Sequence, residues 1–388
     1  MSKMNIALIS GILHPKYGGP PSVIKAHIEG LTSFANTKVF GVCDESDQKE
    51  LNGIYPNSEL FPAVFPKRWF RGKGLRKALT EQGGQFDVLH AHMFWDHAVW
   101  ATWKSGKRNH KPFIVTPHGS ILNVWRWKPL HKISYKKLLL KKILEDCSFI
   151  HALNKREEQG CREFDVKCPI RIIPNGLLKS EYLKKREPHA ALEKWPILKG
   201  KRVLLFMARL SRLKGLDILP QAWAECLKKT QNKDWVLAIA GPDYRGFGKE
   251  VERQVKDLGL SDRVVLTGPV FGELKDSLHS AAEVFVLPSY TEGFSVALLE
   301  ALAAGLPCLY TTECHFEELA EVGGGWCIEP KFDSLVQALR EVVVQSQETH
   351  KSIGNKANKL GLEKYTLENV ALQLVEMYKD AIRNNSNA

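Results

Sequence analysis

Short apolar runs alternate with stretches of helical period along the whole chain. In the first half, the runs Asn5–Ser10, Lys38–Val42, Asp87–His90, Phe113–Thr116, Phe149–His151 and Ile170–Ile173 predict strands. An unbroken apolar run of this length suits a strand covered on both faces. Helical patterns fill Pro21–Phe34, Trp95–Lys107, His131–Glu145 and Lys155–Glu163. The second half repeats the alternation. Strands are expected at Val203–Met207, Val236–Ala240, Val264–Leu266, Val284–Leu287, Pro307–Tyr310 and Trp326–Ile328, with helices near Leu216–Lys229, Lys249–Leu258, Glu273–Ala281, Val296–Ala304 and Phe332–Gln345. Strand and helix in turn are the signature of parallel α/β sheets. Asn175–Lys201 has no clear period and reads as a join, and Thr366–Arg383 returns to a helical period. The expected fold class is therefore α/β: two Rossmann-like parallel-sheet domains facing across a cleft. Open sheets of this kind bind ligands beyond the carboxyl ends of their strands.

Composition narrows the class. A chain of 388 residues with 44% apolar and 25% charged residues can bury two or three cores. The eight cysteines include no C-x-x-C pair, which predicts reduced thiols in the cytoplasm and no structural zinc. The apolar run Met4–Ser10 is too short for a secretion signal. No run reaches the roughly 20 apolar residues of a membrane span. The net charge of +12 is lopsided: residues 1–180 hold 28 Lys/Arg against 15 Asp/Glu, whereas the remainder is nearly balanced. An anionic partner for the first half alone would explain that.

The candidate chemistry falls just after strands. Glu292 sits on a strand-to-helix turn, and Gly293, Phe294 and Ser295 bring the amides of the next helix start. Such a start attracts phosphate. Glu300 follows eight residues later, about 12 Å along a helix, roughly the span from the sugar to the ribose of a nucleotide-sugar. The plainer alternative is a helix with an acidic start and one exposed Glu. Arg209 and Lys214 follow the strand Val203–Met207, where two cations suit a diphosphate, although a solvated basic loop would look the same. Gly18-Gly19-Pro20 follows the first strand and allows a close backbone approach to phosphate. His118, in Thr-Pro-His-Gly-Ser, suits a hydrogen bond to a sugar hydroxyl. The loop at Thr267–Val270 could hold a nucleobase edge through the backbone of Val270. His90-Ala-His92 resembles half a metal site, but the sequence shows no third ligand.

Taken in order, these motifs resemble the retaining glycosyltransferases of family 4, with the GT-B fold, of the bacterial exopolysaccharide type. The resemblance runs from Gly18-Gly19 through Pro117-His118-Gly119, Ile173-Pro-Asn-Gly176, Arg209-x4-Lys214-Gly215, Ala240-Gly-Pro-Asp243 and Gly268 to Glu292-x7-Glu300. It implies a first domain over 1–178 for the acceptor and a second over 200–365 for the nucleotide-sugar donor. A terminal helix, 366–384, would pack back on the first. It implies that Arg209 and Lys214 hold the diphosphate, with Gly19 also at phosphate. Gly293, Phe294 and Ser295 would offer backbone amides. Glu292 would hold a sugar hydroxyl, Glu300 the ribose diol, and His118 the donor sugar. Two cations and a helix start can neutralise a leaving diphosphate without a metal, so no metal or other cofactor is expected. The resemblance also implies transfer with retention, by same-face attack in which the departing phosphate takes the acceptor's proton. Ala208 stands where a glycine often precedes the arginine.

UDP-glucose is the donor this habit suggests, and the acceptor would be a saccharide or a lipid-linked sugar. Trp125–Lys142 carries seven Lys/Arg and no acid, beside four Leu and two Trp. That mixture suits a peripheral contact with an anionic membrane face, or an ordinary amphipathic helix packed in the first domain. No nucleic-acid module is recognisable. The competing functions are a UDP-sugar epimerase of the same fold and a binder of nucleotide-sugar or nucleic acid without turnover.

Overall fold

The computed structural model describes residues 3–15, 18–65, 69–121, 140–163 and 166–386. They form two units, Met1–Gly176 with Leu367–Ala388, and Leu177–Thr366.

In the first unit the strands are β1 (Met4–Ser10), β2 (Ala35–Cys43), β3 (Ser58–Val64), β4 (Arg71–Gly72), β5 (Val88–His92), β6 (Phe113–Thr116), β7 (Phe149–Ala152) and β8 (Ile170–Ile172). They lie in the order β4-β3-β2-β1-β5-β6-β7-β8. All pairs are parallel except β3 with β4. The six apolar runs expected here all form strands. The sequence pattern missed β3 and β4 for a clear reason. In Ser58–Val64 the proline Pro62 interrupts the β signature, and only Phe61 is buried. The helix expected over His131–Glu145 lies mainly outside the described residues, as does most of 125–142. Its described end is a helix at Lys141–Asp146. The carboxy-terminal helix Leu367–Ser386 belongs to this unit and buries Val370, Leu374, Met377 and Tyr378 in one cluster with Ile6, Leu8 and Ile24.

In the second unit the strands are β9 (Arg202–Met207), β10 (Trp235–Ala240), β11 (Val264–Gly268), β12 (Val284–Leu287), β13 (Cys308–Thr311) and β14 (Gly325–Ile328), all parallel, in the order β11-β10-β9-β12-β13-β14. β9, β10 and β12 are fully apolar inside and bury almost every residue, as strands covered on both faces must. The stretch read as a join differs from expectation. From Leu177 onward it folds with this unit, through short helices at Lys179–Leu183 and His189–Lys194, and Tyr182, Ala191 and Leu198 sit in the core. Each short helix is anchored by a single large or central residue, which leaves no period to read. The 18-residue helix Gln347–Lys364 was also missed. It is mostly polar, and at Gly354 an added Cβ would stand 2.0 Å from the carbonyl oxygen of Gly305. Close approach of backbones holds this helix where an apolar stripe ordinarily would.

In each sheet the chain steps outward in one direction and then in the other. The reversal falls between β1 and β5 in the first unit and between β9 and β12 in the second. These are the topological switch points where open α/β sheets bind ligands.

Candidate functional site

The switch point of the second unit gathers most of the expected residues. The turn after β9 runs through Arg209 to the short 3-10 turn Arg212–Lys214 and closes on Gly215 at φ 74. Glycine is needed there twice over. The conformation is left-handed, and a Cβ would meet the carbonyl oxygen of Pro288 at 2.1 Å. The loop after β12 is fastened to this turn by Tyr290 N–H donating to the Leu213 carbonyl at 2.9 Å. Thr311 Oγ1 donates to the Ser289 carbonyl at 2.6 Å and holds the same loop from β13.

Lys214 and Glu292 meet as a result. Lys214 Nζ donates to Glu292 Oε1 at 2.5 Å, and Ser289 Oγ donates to the same oxygen at 2.8 Å. Their side chains are only 15% and 9% exposed. A charge-assisted pair with little water around it is strong, and either partner left alone there would be costly. The lysine expected to face a diphosphate is therefore neutralised, without ligand, by the carboxylate expected to face the sugar.

Ser295 caps the helix Val296–Ala303, its Oγ accepting from Leu298 N–H at 3.3 Å. Phe294 turns its ring inward, 4.8 Å from the ring of Phe316 and 5.8 Å from that of Tyr365. Packing of this ring fixes the turn that begins at Glu292 and Gly293. Glu300 accepts from Lys275 Nζ at 2.8 Å, on the helix Gly272–Ala281. Arg209 lies with its guanidinium 5.4 Å from the ring centre of Tyr244, a cation held on an aromatic face. Val270 buries its side chain, so only its backbone could serve a ligand.

The first unit contains Gly19 and His118. Gly19 opens the helix Gly19–Leu31, with Pro20 and Pro21 in its first turn. His118 follows β6 with φ 52, uncommon for a residue with a side chain. Its loop is clamped: Gly119 N–H donates to Glu157 Oε1 at 2.5 Å, Ser120 Oγ to the Pro117 carbonyl at 2.5 Å, and Trp95 Nε1 to the Ser120 carbonyl at 2.9 Å. Glu157 is wholly buried, and burial raises its carboxyl to about 7 against the pull of two backbone amides.

Behind His118 lies a group of histidines that the sequence did not reveal as a group. His27, His90, His92 and His151 are all buried. Burial, helped by mutual repulsion, holds His27, His90 and His92 well below the ordinary imidazole range, and burial holds His151 down at about 4. They are neutral rings. Their tautomers follow from one carbonyl. The Ile173 carbonyl, 2.8 Å from His151 Nε2, can only accept, so His151 carries its proton there. His151 Nδ1 then accepts from Thr116 Oγ1 at 2.8 Å. Thr116 has spent its proton, so it accepts from His90 Nε2 at 2.7 Å. His90 Nδ1 accepts from Tyr378 OH at 2.8 Å. The chain of bonds has a single direction.

His27 also corrects the expectation that His90 and His92 lack a third partner. One ring nitrogen from each of His27, His90 and His92 lies within 4.8 Å of the others, a spacing a metal ion could use. Both nitrogens of His90 are already bonded, however. An ion at its Nδ1 would displace the Tyr378 hydroxyl.

Comparison with known proteins decides the class. The glycosyltransferase family 4 model matches residues 17–177, and the glycosyl transferases group 1 model matches residues 189–360. The chain is built of two glycosyltransferase domains. It is 28% identical over 324 residues to an uncharacterized glycosyltransferase of Methanocaldococcus jannaschii, covering 81% of this chain and 80% of that one. It is 22% identical to the alpha-monoglucosyldiacylglycerol synthase of Streptococcus pneumoniae, covering 83% and 73%. Among solved structures, Anabaena HepE in complex with UDP and glucose superimposes with a TM-score of 0.79 at 18% identity, covering 96% of this chain and 98% of that one. At that identity the likeness establishes the GT-B fold.

Within this glycosyltransferase, the sequence named the residues of the second switch point but not their partners. Ser289 was readable, three residues before Glu292 at the end of an apolar run. Lys275 and Tyr244 carried no signal, because each sits on another element and meets its partner only through the fold.

Proposed function

We propose that the protein transfers a hexose from a nucleoside-diphosphate sugar, UDP-glucose as first choice, to a carbohydrate or lipid-linked acceptor in polysaccharide biosynthesis, with retention of the anomeric configuration and without a metal. The second unit takes the donor and the first takes the acceptor. The observation that carries this reading is the Lys214–Glu292 pair beside the capped helix start at Ser295, at a sheet's switch point. A diphosphate arriving there would exchange partners with the pair. Lys214 turns to phosphate, Arg209 joins it, and Glu292 is released to accept hydroxyls of the sugar. Backbone amides at Gly293, Phe294 and Ser295 point the positive end of the helix at the leaving group. Glu300 takes the ribose diol, the backbone at Val270 the base edge, and Gly19 approaches phosphate. His118 donates to an oxygen of the transferred sugar.

Two relatives lend support: the synthase from Streptococcus pneumoniae bears the name of a glucolipid product, and Anabaena HepE was crystallised with UDP and with UDP-glucose. Two cations and a helix start supply the charge neutralisation that other enzymes obtain from a divalent ion. A peripheral membrane contact through 125–142, most of which lies outside the described residues, belongs to the same proposal. Co-sedimentation with anionic vesicles tests it. Among the described residues no helix is long and apolar enough to cross a membrane.

The test is a proton NMR assay of UDP-glucose consumption with and without candidate acceptors. A transferase releases UDP slowly alone, faster with acceptor, and forms an α-linked product. Interconversion of UDP-sugars without acceptor would identify an epimerase instead, and a product of inverted configuration would contradict retention. Binding without turnover, unchanged in His118→Ala, would mark a binder.

A further inference from the structure

We propose that His92 is a positioning residue that fixes the tautomer of His118, so that His118 presents an Nδ1–H donor outward and cannot act there as a base. The inference rests on the reading that His118 meets the transferred sugar.

His92 Nδ1 and His118 Nε2 are 2.9 Å apart, and the two rings stack with centres 5.1 Å apart and planes 24° from parallel. Either nitrogen could hold the shared proton. The surroundings of His92 decide between them. Its other nitrogen, Nε2, is buried and has no partner among the described residues. The ring of His27 lies with its centre 5.4 Å from that of His92, and its two nitrogens are likewise buried without partners among the described residues. A neutral His27 must carry a proton on one of those nitrogens. A proton on His92 Nε2 as well would leave two buried N–H groups without partners among the described residues. Orphaned donors are the rarer and costlier kind of unsatisfied group. With His92 Nε2 bare, only the His27 N–H remains as such a donor. The His92 proton then sits on Nδ1 and is donated to His118 Nε2.

Neutral His118 carries its own proton on Nδ1 in consequence. Burial, then the nearby His151, lowers its basicity to about 3, and the ring stays neutral. The clamps on Gly119 and Ser120 hold the backbone that follows His118, and the ring itself is held against His92 by the hydrogen bond and the stacking. The adjacent chain from Tyr378 to the Ile173 carbonyl cannot reverse and reset it, because it ends on a carbonyl. The stacked His90 and His92 rings, 4.5 Å apart, lock the two systems together. A donor at this place can hold a sugar oxygen. It leaves removal of the acceptor's proton to another group, as same-face transfer with the departing phosphate as base requires.

The test uses the full chain labelled with 15N-histidine. Two-bond nitrogen–proton correlations should show His118 protonated on Nδ1. In His92→Phe it should revert to Nε2–H, the form an unconstrained histidine prefers, and turnover should fall about 10- to 100-fold, the worth of one hydrogen bond to the sugar, with UDP affinity within about twofold. His92→Asn keeps an N–H close to the position of Nδ1 and should restore the tautomer and most of the turnover. His92→Leu replaces Phe if that variant does not fold. A wild-type His118 protonated on Nε2, or one that keeps Nδ1–H in His92→Phe, overturns the proposal. A tautomer that switches while turnover stays constant leaves the positioning intact and refutes instead the assignment of His118 to the sugar.

Discussion

Lys214 carries two obligations, one to Glu292 and one to the diphosphate assigned to it. Lys214→Ala should therefore lower turnover about 10²- to 10³-fold, the usual loss when one stabiliser of a leaving group goes. UDP affinity, read by calorimetric titration, should fall with it. Glu292→Ala should separate these effects: turnover falls while UDP binds as well or better, because the carboxylate that competes for Lys214 is gone and UDP carries no transferred hexose for it to hold. Glu300→Ala should do the reverse and weaken UDP about tenfold, the worth of hydrogen bonds to a charged group. Unchanged UDP affinity in Glu300→Ala would remove the ribose assignment. The single-letter pattern disclosed these residues because each falls on a turn after an apolar run. It could not disclose that Lys214 and Glu292, 78 residues apart, would already be joined, nor that Lys275 would sit on Glu300.

Elements turn these residues into a site. The turn after β9 reaches the loop after β12 because the two strands are neighbours, and Gly215 permits the closest contact between them. Gly215→Ala should cost about 1–3 kcal/mol for the forced left-handed conformation alone, before the collision with the Pro288 carbonyl. A lower melting temperature with weaker UDP binding is the expected result. A variant that loses stability and keeps full UDP affinity would show that the turn does not place Lys214. The inner strands were legible in the sequence since burial on both faces leaves an unbroken apolar run. Strand β3 and the edge strand β4, the short helices after Leu177 and the polar helix Gln347–Lys364 were not, because isolated anchors or missing side chains hold them. The histidine group was hidden for a related reason: His27 lies on a helix, His90 and His92 on β5, His151 on β7 and His118 on the loop after the strand β6 between them.

At the scale of the molecule, two sheets each reverse direction once, and the candidate residues of each unit collect at that reversal. The opposite end of the second sheet is occupied by a structural ion cluster. Arg202 and Glu283 form a forked pair, His350 Nδ1 lies 2.6 Å from Glu283 Oε1, and the guanidinium sits 4.4 Å from the ring centre of Trp235. Burial pushes the Glu283 carboxyl up, but hydrogen bonds from Arg202 and His350 outweigh it and hold it at about 2. A depressed carboxylate stabilises the fold above its unfolded value, near 4.5, and that contribution is lost as pH falls toward 2. Thermal unfolding between pH 7 and pH 3 should show Glu283→Gln less stable at neutral pH, with the gap to the parent narrowing in acid. A gap that stays constant would contradict the assignment. The uneven charge, an excess of 13 positive charges within residues 1–180, would suit an anionic partner for that half of the chain.

The most direct measurement is a crystal structure of the protein with UDP. The diphosphate should lie at the start of the helix Val296–Ala303, within hydrogen-bonding reach of Lys214 Nζ, with Glu292 released from that lysine and the ribose against Glu300. UDP found elsewhere, with the Lys214–Glu292 pair still closed, would contradict the account.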